Sequence, residues 1–340
     1  MTGEGRVPLP IVPPPFQDER LSSWMERIAD VYQVSLDGLQ AYVGWARPAL
    51  QLESEPVRAD MERIAAATRS SVERLFAMTF HDVPPRYRTL LRPASRETCP
   101  VCSRGMQRPQ RLRAWSFAFS FRCDRHRQPL FGFETRGACA LGGDEASAQR
   151  GAEFLYRWAM GRDTAAVPVG SVLSLLLSPS RKASSPAPWE LARLPLAHQH
   201  EPSILSRPCR RPALSILVPE FALAVPIYDQ RLPSTIADLP NAPWAERYAL
   251  ALGVARVLKN PTDAVVRILE VSDEFGRKKV TALIHRWPAA IRNAVGRAAQ
   301  HPRHTKARGE GSATSTSGRF NRQRVRAPSN RDAWRDRADA

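Results

Sequence analysis

What this sequence lacks narrows its function before any motif is read. No stretch approaches the ~18 consecutive apolar residues of a membrane span, and the first residues do not run basic-then-apolar as a secretory leader does. A cytoplasmic protein with no membrane partner is expected. There are only five cysteines in 340 residues, and those that pair do so at metal rather than disulfide spacing, which again fits a reducing compartment. No GxxxxGK[ST] phosphate loop occurs, so ATP hydrolysis is not expected. Acids are scarce, 33 against 50 Lys and Arg, and they are scattered with no spacing that assembles a two-metal carboxylate site. An enzyme such as a nuclease or transposase is set aside in favour of a binding protein.

What is present begins with Cys99-Pro100-Val101-Cys102 and, after twenty intervening residues, Cys123-Asp124-Arg125-His126. Two pairs, each with two residues between partners, turn two tight knuckles around one tetrahedral ion. Cys99, Cys102, Cys123 and His126 are therefore the candidate ligands of a single structural Zn²⁺. Four protein ligands leave no open position for water or substrate, so the metal is not read as catalytic. A thioredoxin-like redox pair would need a βαβ context, which is missing. Between the pairs, Trp115, Phe117, Phe119 and Phe121 recur at every second residue. That period predicts a strand whose aromatic face covers the metal in a zinc-ribbon-like hairpin, with small residues facing away. Cys139 and Cys209 have no nearby partner and are expected to be reduced and packed.

The positive charge is unevenly placed. Arg86 to Arg136 holds twelve arginines against three acids, a net +9, and Arg297 to the end carries a net +7. Together they account for nearly all of the +17 of the whole chain. An arginine-rich module around a zinc site reads as a phosphate-backbone surface, the alternative being a solvated charged face.

Thirty prolines break the chain repeatedly, and 340 residues suffice for two or three domains. Residues 1–20 read as an extended, polyproline-like arm. Glu19 to Trp24 opens a helix capped by Ser22 or Ser23, with Trp24, Ile28 and Val31 on one face. Arg27-Ile28-Ala29 through Ser35-Leu36 to Leu39 recurs 36 residues later as Arg63-Ile64-Ala65 through Ser71-Val72 to Leu75. Both copies spell helix, turn, Ser cap, helix, which is helix-turn-helix grammar. The turn holds Arg69 where a glycine often sits. Arg69 and Arg74 are the side chains nearest a groove or phosphate if the second copy docks on DNA. Glu73 on the same face would repel phosphate, and a helical bundle for protein contact remains the other reading. In the zinc module the candidate DNA contacts are Arg104, Arg108, Arg111, Arg113, Arg125 and Arg127.

Further along, a short amphipathic helix is predicted between Gly151 and Gly161 on a Phe154, Leu155 and Trp158 face. Residues 162–240 are hard to read: Val172–Leu177 is apolar but short, 179–188 is linker-like, and Leu214–Tyr228 is apolar with two prolines. Helices are predicted over Trp244–Leu258, over Thr262–Val271 behind an Asn260 cap, over Arg277–Trp287, and from Pro288. Arg277, Lys278, Lys279 and Arg286 are taken as a solvated face. From about 301 the composition is that of a disordered basic tail. The fold class is mainly α and multidomain, with a small β zinc-ribbon-like module: 1–90 arm and helix-turn-helix region, 91–140 zinc module, 141–240 irregular and helical, 241–300 C-terminal helices, 301–340 tail.

Leu9-Pro10-Ile11-Val12-Pro13-Pro14-Pro15, then Asp18-Glu19-Arg20-Leu21-Ser22-Ser23-Trp24, then the Cys-Pro-x-Cys and Cys-x-x-His pairs resemble the TniQ family over roughly residues 8–160. Cys123-Asp124 departs from the family's Cys-Pro, with the ligand positions kept. The resemblance implies a non-enzymatic transposition accessory protein. It would connect double-stranded target DNA, or an RNA-guided targeting complex, to an AAA+ ATPase that recruits the transposase; a homodimer is left open. The alternative built from the same parts is a zinc-containing helix-turn-helix transcription regulator.

Overall fold

In the computed structural model, which describes residues 7–92, 94–130, 144–182, 210–224 and 235–300, the internal repeat of the sequence becomes a repeated backbone. Helices α1 (Leu21–Val31) and α2 (Leu36–Val43) form the first copy, and α4 (Arg58–Thr68) and α5 (Val72–Ala77) the second, with α3 (Ala49–Ser54) between them. Gln33 and Arg69, equivalent in the repeat, both take left-handed backbone with φ of 53°. Each ends its helix with a bond reaching back five residues, Val34 N to Ala29 O at 3.0 Å and Ser70 N to Ala65 O at 3.2 Å. The next helix is then capped by a serine: Ser35 Oγ accepts from Gly38 N and Ser71 Oγ from Arg74 N. Ile28 and Ile64, and Leu39 and Leu75, bury the matching positions in one core that runs from Leu9 to Met78.

The start of α1 differs from the sequence expectation. Arg20 occupies the cap position without a side-chain cap, and Ser22 and Ser23 lie inside the first turn. The Ser23 hydroxyl donates to Glu19 Oε1 instead. Trp24 and Ile28 are fully buried, but Val31 is 44% exposed, because the inner face follows Leu21, Trp24, Met25 and Ile28 rather than continuing to Val31.

The aromatic run is not a strand. Arg113–Ser116 is a single 3-10 turn, Phe117 makes an isolated bridge to Leu91, and Arg122 makes another to Pro129. Backbone bonds go to different partners: Arg92 N donates to Ser116 O, Ala118 N to Leu90 O, and Ser120 N to Phe117 O. Both alternating sets are buried, Ser116 and Ala118 as well as the aromatics. Period two marks a strand only where one face meets solvent or a different layer, and here neither does. Trp115 packs with Cys99, Cys123 and Leu130, whereas Phe117, Phe119 and Phe121 enter the large C-terminal core.

That core starts at Phe80 and reaches Val295. Its centre is α10 (Trp244–Lys259), buried on nearly every side from Glu246 to Ala255. α6 (Glu145–Ala159) lies against it so closely that a Cβ added to Gly151 would sit 1.8 Å from Ala251 O. Asp144 caps α6 by accepting from Ser147 N, so the helix begins before Gly151. Residues 162–240, opaque in sequence, contribute α7 (Val169–Leu177), a two-stranded antiparallel ribbon of β1 (Pro179–Lys182) with β2 (Arg210–Pro212), and the short α8 (Leu214–Leu217) and α9 (Pro219–Ala224). Residues 179–182 of the expected linker are therefore strand.

The Asn260 cap and α11 (Pro261–Val271) follow the sequence pattern. α12 spans Glu274–Ile284, earlier than expected because Asp273 caps it through Gly276 N at 2.8 Å, and α13 is Ala289–Gln300. The basic tail from 301, Cys139 and Cys209 lie outside the described residues. Among the described residues no helix is long and apolar enough to cross a membrane.

Candidate metal centre and basic surface

Cys99, Cys102, Cys123 and His126 come together with one potential ligand atom each, all within 4.8 Å of one another. His126 Nδ1 lies 3.1 Å from Cys102 Sγ, 3.6 Å from Cys99 Sγ and 3.8 Å from Cys123 Sγ, and Cys102 and Cys123 are 3.8 Å apart. A tetrahedral zinc with S and N ligands at about 2.3 and 2.0 Å has edges of about 3.5–3.8 Å, so the cluster fits one ion.

Two knuckles produce this. Ser103 N donates to Cys99 O at 3.0 Å, and Arg127 N to Cys123 O at 2.8 Å, each turn folding the second ligand back over the first. The second knuckle closes through Cys123 N to Gln128 O and Leu130 N to Phe121 O. Burial, with Cys123 and Cys99 beside it, pushes the Cys102 thiol up to about 12, and burial likewise raises that of Cys123. Three thiolates in this space need a cation to hold their charge, which is the chemistry of a metal donor set rather than of an apolar core.

The structure separates the eight candidate DNA contacts into two groups. Arg108 pairs with Asp30 at 2.7 Å, Arg111 with Glu26 at 2.6 Å, and Arg113 with Asp82. These three fasten the zinc module to α1 and to the turn after α5. Arg69, Arg74, Arg104, Arg125 and Arg127 are exposed, and among the described residues no carboxylate pairs with them. Arg69 and Arg74 lie on the turn and second helix of the second repeat; Arg104, Arg125 and Arg127 lie on the two knuckles.

The proline-rich arm is held by the residues that follow it. Trp24 Nε1 donates to Pro13 O at 2.7 Å and Arg27 to Pro14 O, while Arg27 lies over the Phe16 ring. Buried Glu19 accepts from Ser23, Arg27 and Phe16 N. Buried Arg20 reaches Glu53 at 2.6 Å, and Glu53 also accepts from Ser22 N. The arm then crosses to the zinc module: Arg20 N donates to Arg111 O, Arg113 N to Asp18 O, and Ala114 N to Asp18 Oδ2. Asp18 reaches solvent through flanking clefts, yet partial loss of hydration around its carboxyl raises its pKa; the Ala114 N–H and Arg113 oppose the rise.

A second buried clasp ties the zinc module to the C-terminal helices. Glu97 receives Arg247 of α10 at 2.5 and 2.9 Å, and Arg92 at 3.1 Å. Trp244 Nε1 donates to Phe121 O at 2.7 Å. Sequence reasoning missed Glu53, Glu97 and Arg247. Their partners are remote in the chain and no periodicity marks them. Glu19 and Arg20 were visible as part of a motif, but their buried bonding was not.

Residues 10–130 match the family model for TniQ. No curated protein and no solved structure matches the chain. The matched stretch opens in the arm, takes in both helical copies and the Glu19 and Arg20 contacts, and ends just past His126. Residues 10–130 are thus similar to a TniQ domain, and the match supports assignment to the TniQ family over that stretch.

Proposed function

We propose that this protein is a non-enzymatic, zinc-containing DNA-binding adaptor of transposition, which connects target DNA or a targeting complex to an AAA+ ATPase. The observation that carries this reading is the TniQ match, because one continuous stretch of that family contains the helical repeats, the four ligands and the exposed arginines. Cys99, Cys102, Cys123 and His126 would hold the zinc, which supplies structural closure and no reaction. Arg69, Arg74, Arg104, Arg125 and Arg127 contact phosphate. Arg108, Arg111 and Arg113 act as fasteners that fix where the others stand. The basic tail adds non-specific attraction to DNA.

The test is reconstitution. The tagged full chain is mixed with duplex DNA and with a transposition AAA+ ATPase. Retention of the ATPase by the tagged chain is expected. DNA binding with no ATPase retained would favour the regulator reading instead.

A further inference from the structure

In a chain with a net charge of +17, one concavity is lined by acid. Two adjoining clefts of about 450 Å³ each share Gln17, Asp18, Ala114, Trp115 and Asp124 in their walls. The first, between the end of the arm, the zinc segment and α6, carries the carboxylates of Asp18, Asp124 and Glu153 beside Tyr156, which is 39% exposed. Of the two arginines on that wall, Arg122 is paired with Glu145, leaving Arg157 against three acids. The second cleft lies over the knuckles: the candidate ligands Cys102, Cys123 and His126 form part of its wall, with Phe16, Val101, Met106, Leu112 and Trp115 around them and Arg125 at its side. Gln110 also lines it, only 7% exposed, and its Oε1 has no hydrogen-bond partner among the described residues.

We propose that these paired clefts dock an extended segment of a partner protein, a lysine or arginine side chain entering the Asp18–Asp124–Glu153 cleft and a large apolar side chain entering the Met106–Leu112–Trp115 cleft. Carboxylates grouped with an aromatic ring are the chemistry that receives a cation, and they repel a phosphate backbone. A buried amide oxygen with no donor is costly to leave unmade, and a main-chain N–H of an incoming strand supplies one. The inference goes beyond the DNA reading and does not depend on it, since the cation cleft uses none of the arginines assigned to phosphate.

The test uses the zinc-loaded full chain and labelled twelve-residue peptides with one Lys and one Phe or Leu, one to four residues apart, in a Gly/Ser/Thr background. Control peptides carry Glu in place of Lys. Because the protein as a whole is strongly basic, non-specific attraction favours the Glu controls. Binding of the Lys peptides at least tenfold tighter, by fluorescence anisotropy, is expected. Asp18→Asn with Glu153→Gln should remove that preference at unchanged zinc content. Glu153→Gln alone, on the exposed face of α6, should reduce it about threefold and keeps the test intact if Asp18→Asn disturbs the fold. No preference for Lys, an unchanged preference in both variants, or displacement of the peptide by a single-stranded oligonucleotide would overturn the proposal.

Discussion

Cys102 concentrates the chemistry of the molecule at the residue scale. It lies 3.1 Å from His126 Nδ1 and 3.8 Å from Cys123 Sγ, and without a cation its thiol is pushed up to about 12. Metal must displace protons from such thiols, so zinc uptake should release protons and zinc affinity should fall as pH falls. A proton-inventory titration at two pH values checks the sign. Cys102→Ser should lose the ion and unfold the knuckles, read as zinc content and loss of ordered structure by circular dichroism; full zinc retention would contradict the ligand assignment. Arg247 poses a different residue question. Its bidentate pair with Glu97 is buried, and removing Arg247 leaves that carboxylate with Arg92 alone. Arg247→Met should destabilise the protein by about 3–5 kcal/mol, measured by urea denaturation. The clustering of Cys99, Cys102, Cys123 and His126 was legible because knuckle spacing is local. The Arg247–Glu97 pair spans 150 residues of sequence, and nothing in either neighbourhood announces the other.

Among the elements, the repeated succession of helix, left-handed turn, serine cap and helix shows what sequence spacing can carry. Ser35 and Ser71 both cap, and the turn position read as glycine-like is indeed left-handed at Arg69 and at its repeat mate Gln33. An L side chain in that conformation is strained by roughly 1–2 kcal/mol. Arg69→Gly should therefore stabilise the fold by about 1 kcal/mol in thermal unfolding while weakening DNA binding, opposite signs that separate the turn's geometry from its charge. Ser71→Ala should cost about 1 kcal/mol through the lost cap. The Trp115–Phe121 run shows where spacing fails. Its alternation was real, but Trp115 serves the metal cluster and Phe117, Phe119 and Phe121 serve the helical core. Tertiary demand on both faces overrode the strand pattern. Likewise Pro179 opens the stretch that reads as linker, yet it meets Pro212 as a register pair at the end of a ribbon.

For the whole molecule, the TniQ domain is neither loose nor separable at the metal. Glu19, Arg20 and Trp24 pin the arm, Arg108 and Arg111 clasp α1, and Glu97 with Phe121 bind the zinc segment to α10. A zinc held by the four ligands would thereby fix the positions of Arg104, Arg125 and Arg127 relative to Arg69 and Arg74. That placement is the central claim, and duplex DNA binding of the zinc-loaded full chain across a range of salt tests it most directly. The logarithm of affinity should fall steeply and linearly with the logarithm of salt concentration. Arg69→Gln with Arg74→Gln should flatten the slope by about one per arginine that contacts phosphate, and chelating the zinc should flatten it further. Affinity indifferent to salt, or a slope unchanged by both treatments, would contradict it.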